Sequence, residues 1–177
     1  SFLLILASNS VSRASNYYLT KNIEVTYRGI QVFVDGRRIN GEEPLVLDSG
    51  TVMVPVRTVA AAIGKSVEWD AKRNMVYIGT GTFVPRNTGD TTSKTSTEPG
   101  PGTMKLPVTY RGIQIYAGGR IIDGEEPFIL NGKGVVMVPV RAVAEATGKL
   151  VQWDGKKNTI EISTGPANYT PPKTKEF

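Results

Sequence analysis

The chain has 177 residues, with 21 Lys and Arg against 16 Asp and Glu, a net charge of +5, and neither His nor Cys. The missing residue types exclude histidine-ligated copper, the usual zinc sites, disulfides and cysteine nucleophiles. The positive charges are scattered among acidic residues, which is typical of a solvated surface rather than a nucleic-acid interface. A metal site made of carboxylates alone stays open, but no alternating run of acidic residues predicts one. We therefore expect no catalytic residues, no metal and no cofactor.

Residues 1–22 form an N-terminal extension whose most distinctive feature is a run of five apolar residues. The run consists of Phe2, Leu3, Leu4, Ile5 and Leu6. It is far shorter than the roughly 20 residues that a bilayer-spanning helix needs. We predict a strand buried on both faces, either inserted into a neighbouring subunit by β-strand addition or docked within its own chain. A remnant of a secretory signal peptide is the third interpretation.

The rest of the chain is dominated by a repeat. Val25–Leu47 matches Val108–Leu130 at 15 of 23 positions. After one extra residue in the second copy, Val52–Gly79 matches Val136–Ser163 at 17 of 28 positions. A period this clear indicates a duplicated domain of about 60 residues. The predicted boundaries are 23–81 for the first repeat, 82–105 for a linker, 106–165 for the second repeat and 166–177 for a tail.

Each repeat contains a β-hairpin pattern followed by one short helix and another hairpin. In the first copy, alternating apolar residues flank the turn dipeptide Asp35-Gly36, and further pairs of short apolar runs precede and follow the helix. The pattern predicts an α+β fold: two tandem small domains, each with an antiparallel sheet wrapped around one short helix.

The helix is predicted by apolar residues at positions i, i+3, i+4 and i+7. These are Val56, Val59, Ala60 and Ile63 in the first copy; Val140, Val143 and Ala144 repeat the spacing in the second copy, with Thr147 at the last position. Pro55 and Pro139 suit the first helical turn, where a missing N–H has no cost. Gly64 and Gly148 suit the left-handed position after the helix.

Two segments outside the repeats have a different composition. The linker 82–105 is rich in Thr, Ser, Pro and Gly and has no apolar face, so it is expected to be extended. Its threonines are either O-glycosylated or unmodified. The tail 166–177 is rich in Pro.

The order of motifs in both copies is Gly-Ile, a turn glycine (as Asp-Gly in the first copy), Glu-Pro, Val-Pro-Val-Arg-x-Val-Ala, Gly, Val-x-Trp-Asp, Asn and Ile. Over residues 23–79 and 106–163 this pattern resembles the copper amine oxidase N-terminal-like domain, also called a stalk domain. The resemblance implies tandem domains of secreted or cell-surface bacterial proteins, each a five-stranded antiparallel sheet curled around a helix. It does not imply oxidase chemistry.

Two arginines occupy an unfavourable position in the predicted helices. Arg57 and Arg141 lie in the first turn, where the helix dipole disfavours a cation. We expect structural ion pairs rather than ligand binding. The candidate partners are Glu42, Glu43 and Asp70 in the first copy, and Glu125, Glu126 and Asp154 in the second.

The aromatic residues offer two alternatives. Trp69 and Trp153 follow the helix in predicted strands, so we interpret them as core residues, with sugar stacking as the alternative. Tyr27 and Tyr110 precede Arg-Gly turns and, if exposed, form a contact to a glycan or to another subunit.

Together these features predict a non-catalytic structural protein at the cell surface. We expect an exported subunit that polymerises into an extracellular filament, pilus or surface layer, with the apolar strand of residues 2–6 inserted into a neighbouring subunit. Its partners are then other copies of itself, without a membrane span. The alternative is a monomeric module that binds cell-wall polysaccharide or acts as a spacer.

Overall fold

The structure, a computed structural model, describes residues 18–79 and 100–165. Phe2–Leu6, most of the linker and all of the tail lie outside these residues. The first repeat contains β1 (Leu19–Tyr27), β2 (Gln31–Val34), β3 (Arg37–Ile39), β4 (Leu45–Leu47), β5 (Val52–Pro55), α1 (Val56–Ala62), β6 (Val67–Asp70) and β7 (Met75–Ile78). The second contains β8 (Gly102–Tyr110), β9 (Gln114–Ala117), β10 (Arg120–Ile121), β11 (Phe128–Leu130), β12 (Val135–Pro139), α2 (Val140–Ala146), β13 (Lys149–Asp154) and β14 (Thr159–Thr164).

The local elements follow the predicted pattern. Asp35 and Gly36 have φ angles of 48° and 77°, as a two-residue hairpin turn requires. Gly64 and Gly148 have φ angles of 72° and 76° after their helices. Pro55 is the N-cap of α1 rather than a residue of its first turn, because its ψ of 125° is extended. The described part of the chain is therefore mostly β-structure with two short helices.

Two segments predicted to lie outside the repeats contribute to strands. β1 begins at Leu19, and β8 begins at Gly102. These two strands pair antiparallel along nine positions each. The last residues of the predicted extension and of the predicted linker thus belong to the folded body.

Six strands close into a barrel in the order β1-β4-β5-β12-β11-β8. Three strands come from each repeat. The buried side chains that fill the barrel are Val25, Tyr27, Leu45, Met53, Val108, Phe128, Leu130 and Met137. The prediction of a sheet curled around a helix is therefore wrong. The barrel interior holds side chains of its own strands, and both helices pack outside it.

The remaining strands form two four-stranded sheets, and each sheet combines both repeats. One has the order β10-β9-β7-β6 and the other β13-β14-β2-β3. Within these two sheets the contacts between repeats are parallel, β7 with β9 and β14 with β2. The predicted antiparallel pairing holds within each hairpin, but each of these sheets also has one parallel contact, because each repeat adds its β2-β3 or β9-β10 hairpin to the other.

An approximate twofold axis relates the repeats. Ile23 lies opposite Leu106 in the β1-β8 pair, and Val54 lies opposite Val138 in the β5-β12 pair. Both pairs join equivalent positions of the two copies. Each pairing in one half consequently has a counterpart in the other, as in an isologous dimer within one chain.

A second hydrophobic core outside the barrel joins the halves. It contains Val54 and Val138 from the outer barrel wall, the apolar stripes of both helices and buried residues of both four-stranded sheets. Both repeats contribute to this cluster, so the two halves are expected to unfold together.

Candidate functional site

The helix arginines do not form the predicted ion pairs. Among the described residues, no ion pair includes Arg57. Arg141 lies 3.6 Å from Glu145 of its own helix, at the i, i+4 spacing. The prediction is wrong because the expected carboxylates are engaged elsewhere.

Two of those carboxylates support the Arg-Gly turns. The Gly29 N–H donates to Glu43 Oε1 at 2.9 Å, and the Gly112 N–H donates to Glu126 Oε1 at 3.2 Å. These turns carry Arg28 and Arg111. The glutamates therefore position one arginine in each half through the backbone.

Two other carboxylates close the last hairpin of each repeat. Asp70 Oδ1 accepts from the backbone N–H groups of Lys72 and Arg73, and Asp154 Oδ1 accepts equivalent bonds in the second copy. Arg73 Nη1 also lies 2.6 Å from Asp70 Oδ2. This side-chain bond, followed by the backbone bond from Arg73, lowers the pKa of the Asp70 carboxyl. Asp154 faces Lys157 at 3.7 Å.

The two tryptophans have different surroundings. Trp69 is half-buried and packs against the outer core, whereas Trp153 is 40% exposed. The prediction that Trp153 is a core residue is wrong. Trp69 and Trp153 both lie on edge strands, β6 and β13, so strand position does not explain the difference in exposure.

The two tyrosines that precede the Arg-Gly turns are buried to different degrees. Tyr27 is 3% exposed and belongs to the barrel core, so it cannot form a glycan contact. Tyr110 is half-buried, with Lys21 Nζ 4.9 Å from its ring centroid. Burial, then the charges of Glu125 and Glu126, raise the pKa of Tyr110.

The exchange of hairpins creates two related grooves. The Trp69 groove is defined by Arg57, Trp69 and Arg111, and the Trp153 groove by Arg141, Trp153 and Arg28. Their volumes are about 450 and 390 Å³. Each groove takes its tryptophan and helix arginine from one repeat and its second arginine from the other. Sequence reasoning missed both grooves, since nothing local predicts that Arg28 meets the strand of Trp153.

In both grooves an arginine from the Arg-Gly turn lies over the indole. The distance from the guanidinium carbon to the ring centroid is 5.6 Å for Arg111 and Trp69, and 5.7 Å for Arg28 and Trp153. Both distances fall within the range of about 6 Å at which a cation is attracted to an aromatic face. An indole beside two guanidinium groups can bind an apolar ring that carries a negative charge.

One aromatic residue breaks the symmetry. Tyr18 lies 4.3 Å from the Arg111 guanidinium carbon, and Arg111 Nη2 donates to the Tyr18 hydroxyl at 2.5 Å. The equivalent position of the second repeat is Pro101. Arg111 is thus held between Tyr18 and Trp69, while Arg28 has no such cover among the described residues.

Other chemistry is limited in the described residues. Residues 18–79 and 100–165 contain no group of three or more His, Cys, Asp or Glu side chains that could hold a metal ion. None of the described helices combines the length and apolar character needed to cross a membrane.

The comparison with known families agrees with this duplicated architecture. The family model of the copper amine oxidase N-terminal domain matches residues 12–82 and 102–168. The chain belongs to this family. The domain is a non-catalytic part of amine oxidases, and it occurs here as two tandem copies. Searches of curated proteins and of solved structures gave no significant match.

Proposed function

We propose that this family member is a non-catalytic, exported structural subunit that polymerises into an extracellular filament, pilus or surface layer. Its principal partner is another copy of the same chain. Phe2–Leu6 of one subunit add as a strand to an open sheet edge of the next. The protein then resides outside the cell or on its surface.

The proposal rests on the open edge of β13. This strand has six residues and pairs with β14 on one side only, with no described strand on the other. Its counterpart β6 has four residues. A donor of five residues is about 17 Å long, which matches the longer edge. Backbone hydrogen bonds along such an edge supply affinity, and alternate side chains supply specificity.

The surroundings of β13 offer an apolar surface to the donor. Val151 packs against the outer core and Leu150 is half-buried, so a strand added beside them extends an existing apolar layer. Burial of five large apolar side chains contributes roughly 7 to 12 kcal/mol before the entropy of ordering is subtracted. The net stabilisation is what remains after that entropy and the cost of association are subtracted.

The interlocking of the two repeats suits the chain to the role of a filament subunit. Because both halves share one outer core, force applied at the donor strand or at β13 acts on a single cooperative body rather than on two tethered domains. A subunit of this kind transmits tension along a filament without separation of its repeats.

Negative-stain electron microscopy of the intact protein and of a version lacking Ser1–Ser12 tests the proposal. We expect filaments from the intact chain and dispersed particles from the shortened one. Dispersed particles from both would contradict the proposal and favour the monomeric polysaccharide-binding or spacer module.

A matched pair of substitutions tests the acceptor edge. Val151→Lys on β13 should block assembly, whereas Val67→Lys at the equivalent position of β6 should leave filaments intact. Thermal unfolding of both variants checks that each is folded. Equal assembly by the two folded variants would exclude β13 as the acceptor.

A further inference from the structure

We infer that the Trp153 groove binds an acidic pyranose of a carboxylated polysaccharide, whereas Tyr18 occupies the corresponding position over Arg111 in the Trp69 groove. The molecule then has one copy of the site in which the turn arginine is available to a ligand and one in which Tyr18 engages it. This inference does not depend on assembly into a filament.

The charge of the Trp153 groove favours an anion. The charged residues that line it are Arg28 and Arg141, both cationic. The Trp69 groove also includes the carboxylate of Glu42, which forms an ion pair with Lys133. The Trp153 groove thus presents two guanidinium groups and no lining carboxylate.

Neither arginine of the Trp153 groove has a strong interaction with the rest of the chain. Arg141 has a 58% exposed side chain, and its contact with Glu145 is 3.6 Å long. An exposed i, i+4 pair of this kind stabilises a helix by about 0.3–0.5 kcal/mol. A ligand carboxylate can therefore replace Glu145 as the partner of Arg141. Arg28 contacts the Trp153 ring, which leaves its N–H groups for a bidentate carboxylate.

The exposed indole favours a ligand whose carboxylate is attached to a sugar ring. Trp153 is 40% exposed and lines a cavity of about 390 Å³. Ligand sites commonly have volumes of about 300–1,000 Å³ and combine apolar walls with a few polar groups. The apolar face of a pyranose can pack on the indole while its carboxylate reaches an arginine. A flexible phosphate polymer without sugar rings satisfies only the arginines.

The Trp69 groove provides an internal reference. There Tyr18 stacks on Arg111 at 4.3 Å and accepts a hydrogen bond from it. The Arg111 Nε atom is buried without a hydrogen-bond partner among the described residues. Tyr18 therefore engages the guanidinium group of Arg111 beside the groove that Arg111 lines, and removal of the Tyr18 ring should free this group for a second ligand.

Calorimetric titration of the full chain with tetragalacturonate at low salt tests the inference. We expect one site per chain, little or no binding of the fully methyl-esterified ligand, and little or no binding of a glycerol phosphate polymer. No heat at millimolar tetragalacturonate, or equal affinity for the methyl ester, would overturn the inference. Preference for the phosphate polymer would overturn the assignment to an acidic sugar.

Equivalent arginines form the matched pair of variants. Arg28→Ala should weaken binding by about tenfold or more, because it removes a charge-assisted hydrogen bond. Arg111→Ala should leave the affinity within about twofold, which is near the level of surface substitutions away from a site. Equal losses in the two variants would indicate nonspecific attraction to positive charge and overturn the inference.

The two tryptophans supply a readout that identifies the groove. The chain contains only two Trp residues. In Trp69→Phe the fluorescence should still change with ligand, and in Trp153→Phe this change should disappear. The reverse pattern would place the ligand in the other groove.

Tyr18→Ala tests the cover over Arg111. The variant should bind two ligands per chain instead of one. A stoichiometry that stays at one would refute the proposed role of Tyr18.

Discussion

The two grooves occupy equivalent places in the fold and differ in what lies over them. Arg28 and Arg111 both follow a tyrosine in β1 or β8, and both reach an indole of the other repeat at nearly the same distance. Only Arg111 also meets Tyr18, which precedes the first repeated strand. The comparison shows that repeat geometry builds both sites, while a residue outside the matched repeat changes one of them.

The barrel offers a second comparison. Leu45 and Phe128 occupy equivalent positions, and both are fully buried in the barrel. Phe128 also packs against the Tyr110 ring, with centroids 5.7 Å apart. The halves thus fill one shared interior with side chains of unequal size.

The largest expected effect on stability comes from shortening the side chains that fill the barrel interior. Phe128→Ala should lower the free energy of unfolding by about 3–5 kcal/mol, and Leu45→Ala by about 2–5 kcal/mol, because each leaves a cavity. Chemical denaturation followed by fluorescence and far-ultraviolet circular dichroism measures both. We expect a single transition in each variant.

The shape of the transition decides whether the halves are interlocked. If Phe128→Ala separated the curve into a stable first repeat and an unstable second repeat, the shared sheets would be contradicted. Coincident curves from both signals would agree with one cooperative body.

A smaller effect is expected at the exchanged hairpin turns, where Gly118 corresponds to Asp35. Gly118 has a φ of +60°, and a Cβ there would lie 1.9 Å from the Ala146 carbonyl oxygen. Gly118→Ala should cost about 1–2 kcal/mol from the left-handed conformation, with a further cost from displacement of the helix end. The change in the midpoint of chemical unfolding measures it.

Asp35→Asn is the matched control for this turn. Asn tolerates the left-handed conformation and retains an oxygen that can accept the bond from the Thr164 N–H, which is 2.9 Å long. We expect a change within about 0.5 kcal/mol. Equal destabilisation by both substitutions would contradict the close approach of Gly118 to α2.

The smallest effect is expected at Asp70. The pKa of its carboxyl is lowered in the folded protein, so its ionisation stabilises the fold above the unfolded-state value of about 3.9. This contribution disappears as the pH falls through the lower folded value. Asp70→Asn should therefore reduce the thermal midpoint slightly at neutral pH, and the difference from the original protein should vanish under strongly acidic conditions.

Asp154→Asn provides the comparison in the second repeat. Its ion pair is 3.7 Å long instead of 2.6 Å, so the reduction at neutral pH should be smaller. A difference that persisted unchanged at low pH would show that hydrogen-bond geometry, rather than charge, accounts for the effect at Asp70.

Local structure was largely predictable because neighbouring residues determine it. The buried positions Val56, Val59 and Ala60 have the predicted helical spacing, and Asp35-Gly36 forms the predicted turn. The arginine ion pairs were not predictable in the same way. Glu43 binds the backbone of a turn 14 residues away, and that arrangement depends on where two strands come together.

The candidate site was the least predictable part. Trp153 occupies the same motif as Trp69 but is more exposed, and Tyr18 contacts the turn arginine of only one groove. Residues that belong to different repeats meet in each groove. No spacing pattern along the chain predicts these contacts between residues of different repeats.

The sequence by itself determined the repeat, the helices, the hairpins and the family, because these follow from short-range periodicity and motif order. The tertiary structure decided that the sheet closes into a barrel, that the hairpins exchange, and that Tyr18 lies over the turn arginine of one groove only. The physical reason is that a unit of about 60 residues cannot bury its apolar faces well alone. Two such units bury them by sharing sheets, and the choice of partner edge is a long-range property of the folded chain.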